Sequence, residues 1–137
     1  MGRILAIDFG TKRTGLAVTD PQQIIATALE TVETARLFVY LEAYFRKEAV
    51  DLLVIGMPRR LDNQDSDMAP QVRKLAEVLK TKFPDKPQTF VDERFTSSLA
   101  RDAMIRAGST KKDRRDKGNI DKVSATLILQ SYMEMRK

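Results

Sequence analysis

Residues 3–19 read RILAIDFGTKRTGLAVT, an apolar run that ends in a carboxylate and passes through a glycine-punctuated basic turn into a second apolar run. Ile4, Leu5, Ala6 and Ile7 leave no polar face, the pattern of a strand covered on both sides, so Asp8 falls at the mouth of a buried strand. A charge at such a place is costly unless something pairs with it. Gly10 and Gly15 permit positive φ or close backbone approach, Lys12 and Arg13 supply cations, and Leu16, Val18 and Thr19 open a second strand. The unit reads as a hairpin with a carboxylate at its hinge. Two roles stand open for Asp8, a ligand in a site or a cap on an ordinary turn.

Outward from this hairpin, strand and helix alternate. Asp20-Pro21 signals a turn, and Ile24 to Ala28 reads as a third strand antiparallel to the second. Leu37, Leu41, Tyr44, Phe45 and Ala49 recur at helical spacing, which predicts a helix from Glu33 to Glu48. Leu52 to Met57 is apolar throughout and runs into Pro58, a second buried strand followed by a polar loop, Arg59 to Asp67. Met68, Val72, Leu75, Leu79 and Phe83 mark the next helix, with Ser66 or Asp67 as N-cap and Pro70 in its first turn. Thr89 to Val91 forms a short strand delivering Asp92, Glu93 and Arg94. Thr96 then caps a helix that carries Leu99, Ala103 and Met104 and ends at Gly108, and a last helix runs from about Asn119 to Met135 with Val123, Leu127 and Ile128 as its apolar face.

A three-stranded meander followed by strand-helix crossovers implies a mixed α/β sheet with helices on both faces, because right-handed crossovers put them there. In such sheets the ligand site lies beyond the carboxyl ends of the strands, near the point where strand order reverses. Those ends are Asp8, Met57 and Glu93. Two of the three carry acid.

Composition narrows the chemistry. At 137 residues, 42% hydrophobic and 31% charged, the chain reads as one soluble domain over 1–137. No run approaches the twenty or so apolar residues that span a bilayer, and no signal-peptide pattern opens the sequence, so a cytoplasmic, membrane-free protein is expected. Cysteine and histidine are both absent, which removes disulfides, thiolate nucleophiles, His-based triads and zinc sites. Only hard oxygen ligands remain for a metal, which means Mg2+ or Mn2+. A net charge of +5 and a pI near 9.6 favour a polyanionic partner.

Four blocks, DFGTKRTGLA at 8–17, VIGMP at 54–58, DERFTSSLA at 92–100 and IDKVSATLILQ at 120–130, together resemble the YqgF (RuvX) family of Holliday junction resolvases and pre-16S ribosomal RNA nucleases. The resemblance runs nearly end to end. It implies the ribonuclease H-like fold, a five-stranded mixed sheet ordered 3-2-1-4-5 and flanked by helices on both faces, in agreement with the reading from the residues. It also implies an acidic cluster in which Asp8, Glu93 and Asp121 converge as catalytic metal ligands. Phosphodiester hydrolysis needs such a cluster, since two divalent ions about 3.5–4 Å apart activate a water on one side of phosphorus and neutralise the leaving oxygen on the other. The implied activity is endonucleolytic, on the 5′ end of pre-16S rRNA or on four-way DNA junctions.

Alternatives remain beside several of these assignments. Asp92 and Glu93 point to opposite faces of a strand, so one of them enters the site; the resemblance selects Glu93. Asp121 can instead help cap the last helix and complement its dipole, whereas small Ser124 and Ala125 would let that helix approach the sheet closely enough for Asp121 to reach a metal. Lys111, Lys112, Arg114 and Arg115 lie in a loop, RAGSTKKDRRDK at 106–117, that either neutralises phosphates flanking the scissile one or is a solvated charge run. Lys12, Arg13 and Arg94 are further candidate phosphate contacts, with Arg59 and Arg60 weaker ones. Phe9, Phe90 and Phe95 read as core or site walls. Where the family commonly has a glycine after the VIGMP block, this chain has Asp62-Asn63-Gln64; Asn tolerates left-handed conformations, so the turn can survive the change. Resolving a two-fold junction calls for a homodimer; trimming an RNA end needs only a monomer. Two other classes bear on the first motif: an actin-like or sugar-kinase ATPase, which needs two copies of the fold, and a catalytically idle nucleic-acid-binding scaffold.

Overall fold

The computed structural model describes residues 2–57, 69–92 and 117–135. The chain runs β1 (Arg3–Asp8), β2 (Arg13–Thr19), β3 (Ala26–Glu33), a 3-10 turn (Thr34–Arg36), α1 (Leu37–Lys47), β4 (Val50–Met57), α2 (Ala69–Lys82), β5 (Gln88–Asp92) and α3 (Lys117–Met135). The sheet order is β3-β2-β1-β4-β5. The first three strands pair antiparallel, and β1, β4 and β5 pair parallel. Both the order and the mixed sense are those expected.

Strand β1 sits at the centre because every residue from Ile4 to Ile7 is apolar and has a layer to meet on either side. Leu5 and Ile7 join Leu16, Leu53 and Ile55 in a core closed by Leu37 and Leu41 of α1 and by Val72, Leu75 and Leu79 of α2. Ile4 and Ala6 join Ala17, Val54 and Val91 beneath Ala125, Ile128 and Leu129 of α3. The two cores differ in grain. Large side chains fill most of the α1/α2 side, whereas the α3 side includes Ala6 and Ala17 facing Ala125, so the last helix can lie close to the sheet.

Some details depart from expectation. Strand β3 begins at Ala26 rather than Ile24, because the Asp20 carboxylate accepts the N–H groups of Ile24 at 2.7 Å and Ile25 at 2.8 Å and keeps both residues in the turn. Gln23, at φ 60°, takes the left-handed conformation that closes this turn, and its side chain donates to the Gly2 carbonyl. The strand then runs on to Glu33, so α1 starts at Leu37 rather than Glu33. On α3 the sheet-facing residues are Ser124, Ala125, Ile128 and Leu129, whereas Val123 and Leu127 are only half-buried. Close packing on a sheet selects small side chains over the most hydrophobic ones. The expected helix carrying Leu99, Ala103 and Met104, the caps at Ser66 or Asp67, and the loop after Pro58 lie outside the described residues.

Candidate active site

Asp8 closes β1, half-buried, at the carboxyl end of the central strand. Alternation along the strand gives it the parity of Ile4 and Ala6, which face α3, rather than of Leu5 and Ile7. On β2 its cross-strand partner is Gly15. On β4 the register sets Ile7 against Ile55, and one step further brings Gly56 level with Asp8. The carboxylate is therefore flanked on both neighbouring strands by residues without side chains. On the same face the next row toward the amino end is Ala17, Ala6 and Val54.

The basic turn after Asp8 is braced from outside the hairpin. A Cβ at Gly10 would collide with the Arg13 carbonyl oxygen, so close approach, rather than positive φ, is what glycine supplies there. Thr34, at the end of β3, holds both limbs of the turn: its hydroxyl donates to the Gly10 carbonyl at 2.6 Å and its N–H to the Lys12 carbonyl at 2.9 Å. Its hydroxyl also lies 2.9 Å from that of Thr14, which is fully buried. Lys12 is exposed and Arg13 half-buried on this fixed loop. Thr34 is a positioning residue that the sequence reading missed, since a threonine before a helix looks like any other cap.

Asp121 lies on α3, one turn before Ala125, a residue in contact with the sheet. The helix begins at Lys117, so Asp121 falls in its second turn, and the first turn contains no acid. Beyond the third helical position the backbone N–H groups are bonded within the helix, so the capping role proposed for Asp121 is lost. About one turn after Asp121 along the helix comes Ser124, 2% exposed, whose Oγ has no hydrogen-bond partner among the described residues.

Asp92 ends β5 opposite Met57, a residue of the α1/α2 core, whereas its neighbour Val91 belongs to the α3 core. The backbone register thus gives position 92 the parity opposite to Asp8. Glu93, Arg94, Lys111, Lys112, Arg114 and Arg115 lie outside the described residues. Among the described residues no three acids gather at one point. Phe9 packs against the α1/α2 core as a wall, but Phe90, expected to do the same, is 44% exposed.

A sequence profile described as RuvX, Holliday junction resolvase, matches residues 2–135. The chain belongs to the RuvX family. Among its relatives, a protein of Phocaeicola vulgatus provisionally named pre-16S rRNA nuclease is 50% identical over 137 residues, covering 100% of this chain and 99% of the relative. A Porphyromonas gingivalis protein of the same provisional name is 50% identical over 134 residues, covering 98% and 97%. Among solved structures, the Thermus thermophilus RuvC protein in complex with a Holliday junction substrate superposes with a TM-score of 0.58 at 19% identity, over 97% of this chain and 96% of that one. At that identity the likeness concerns the fold, and it places this RuvX chain in the ribonuclease H-like architecture expected.

Proposed function

We propose that this chain is a metal-dependent endonuclease that cleaves phosphodiesters in precursor 16S ribosomal RNA in the cytoplasm, with Asp8, Glu93 and Asp121 as the acids of its site. The observation that carries the reading is the shared face of Asp8 and α3: the acid at the end of the central strand opens toward the helix that bears Asp121, over a floor of Gly15 and Gly56. Val91 faces α3 and position 92 has the opposite parity, which disfavours Asp92 and so supports the resemblance's choice of Glu93 as the third acid. Full-length relatives named for pre-16S rRNA favour RNA as substrate.

The residues suit Mg2+ or Mn2+. In a chain without Cys or His the donors are hard carboxylate oxygens, glycines leave room beside Asp8, and the Ser124 hydroxyl offers a further oxygen one turn from Asp121. When bound, such ions supply charge to the leaving oxygen and acidify an attacking water. The protein's own part is positional. The carboxylates hold ligand oxygens on rigid elements, Lys12 and Arg13 on their Thr34-braced turn contact phosphates beside the scissile one, and Arg94, Lys111, Lys112, Arg114 and Arg115 extend that positive field. A four-way DNA junction is the second substrate reading, favoured by the family's description, and it calls for a homodimer where RNA trimming needs a monomer.

The test is to incubate wild-type and Asp8→Asn protein with precursor rRNA and with a synthetic four-way junction, each with and without Mn2+. Wild type should cut the RNA only with metal. Asp8→Asn should bind the RNA as well but leave it intact, and Mn2+-dependent cleavage at the wild-type rate by that variant would refute the assignment.

A further inference from the structure

We infer that the groove between α1 and α2 is a docking site for an amphipathic helix of a partner protein, one that carries Asp or Glu beside its apolar stripe. The groove has a volume of about 430 Å³, within the roughly 300–1,000 Å³ of clefts that take a ligand. It is lined by Leu37 and Leu75, both buried, and by Phe9, Phe38 and Val78, all half-buried, an apolar gathering at the surface of the kind that marks an interaction site. Phe9 turns toward α1 and α2 because it follows β1 with the parity opposite to Asp8, so the groove lies across the sheet from that carboxylate. Thr34, which braces the basic turn, also lines it.

The α2 side of the groove is a single stripe, since Gln71, Lys74, Leu75 and Val78 recur at spacings of three and four. Lys82 continues the stripe one turn beyond Val78 and sets its ammonium 5.5 Å from the centre of the Phe38 ring. From Gln71 to Lys82 the stripe runs for about 16 Å, or about three helical turns. Leu37 and Phe38 of α1 face it. A third helix fits such a surface by laying residues at i, i+3, i+4 and i+7 between the two helices already present.

Charge decides which helix. α2 carries Arg73, Lys74, Lys80 and Lys82 against one acid, Glu77, and none of the described residues lining the groove is an acid. Among the described residues neither Lys74 nor Lys82 is paired with a carboxylate. On α1, Glu42 lies one turn beyond Phe38 but is held by Arg46 at 2.6 Å. The surface therefore attracts an acidic partner, and a second copy docked α2 to α2 would bring like charges together. RNA has the right sign and the wrong shape. A base stacks on an open aromatic face, whereas the Lys82 ammonium lies over Phe38 and Phe9 packs against the α1/α2 core. A helix with an apolar stripe and flanking carboxylates fills the groove and meets Lys74 and Lys82 at its rim.

The test uses the full chain, isotopically labelled, and a panel of synthetic helical peptides of about three turns with Leu or Phe at i, i+3, i+4 and i+7 and Glu at the flanking positions. Binding should shift the backbone amide resonances of Phe38, Lys74 and Val78 and the methyl resonances of Leu75 and Val78, and should weaken with added salt. Lys74→Glu/Lys82→Glu, both at exposed positions, should lower the affinity by roughly tenfold or more through like-charge repulsion. The same variant should gain affinity for the counterpart peptide bearing Lys in place of Glu, an exchange that no folding defect imitates. Failure of every Glu-bearing peptide to shift the groove resonances, or equal binding of the Lys-bearing counterpart by wild type, would overturn the inference. So would the same shifts with a single-stranded RNA oligonucleotide, self-association through these residues, or Overhauser contacts in the free protein between the groove and another segment of this chain.

Discussion

Ser124 shows what a single buried atom says about a site. Mid-helix serines usually return a hydrogen bond to the carbonyl one turn back, but the Ser124 Oγ has no such partner among the described residues although the residue is 2% exposed. Leaving a hydroxyl sealed and unpaired costs about 1–3 kcal/mol. Ser124→Ala should therefore raise the unfolding free energy in metal-free buffer by about 1–2 kcal/mol, read from urea denaturation. Cleavage should move the other way, falling as stability rises, because the lost oxygen belongs to the proposed site. A variant that is more stable and cuts normally would reduce Ser124 to packing. Asp8 was legible in the sequence because an uninterrupted apolar run points to a buried strand and its first acid marks the strand's mouth. Asp121 was only half legible. Ligand or cap depended on where α3 begins, and the start at Lys117, two residues earlier than expected, decided against a cap.

At the scale of elements, hydrophobic pattern located every described strand and helix, and it misplaced their edges where a side chain competes with the backbone. Asp20 is the clearest case. Its carboxylate accepts N–H groups from Gln22, Ile24 and Ile25, and these bonds, the Ile25 and Ile24 ones foremost, hold its pKa below the ordinary aspartate value. A depressed pKa means that the turn's stabilisation is complete above the ordinary value and is lost as pH falls through the lower, folded one. The Ile24 and Ile25 amide resonances should accordingly titrate together, with one midpoint below the usual aspartate range. In Asp20→Asn that step should vanish, and amides that still titrated would show that another acid holds the turn. The sheet-facing side of α3 was legible in part. Ser124, Ala125 and Ile128 meet the sheet as expected, whereas Val123 and Leu127 are only half-buried, because close approach over Ala6 and Ala17 favours small side chains. Thr34 could not be found from spacing at all, because its hydrogen bonds to Gly10 and Lys12 join segments that only the folded hairpin brings together.

Across the whole molecule, charge is unevenly shared. The stretch from Thr14 to Ala35 is acidic, while Lys12, Arg13 and the run Lys111, Lys112, Arg114 and Arg115 concentrate cations on the turn after β1 and on the segment leading to α3. An acid-lined site can hold a polyanion only if cations around it offset the repulsion, and each phosphate neutralised releases counterions, so affinity falls linearly with salt on logarithmic axes. If the 111–115 run contacts phosphates, replacing all four of its cations with Gln should reduce the magnitude of that slope by about 2–3 on single-stranded RNA, where each contact contributes roughly 0.7. The measurement is RNA affinity across a salt series, made with Asp8→Asn so that cleavage does not interfere. Glu77→Gln, an exposed change on α2, which packs on the face of the sheet opposite to α3, serves as control and should leave the slope where it was. Binding that weakens while the slope stays constant would mean the four residues act on folding or loop position rather than on phosphate. An unchanged affinity and slope together would leave Lys12 and Arg13, on the turn that Thr34 braces, to hold the substrate.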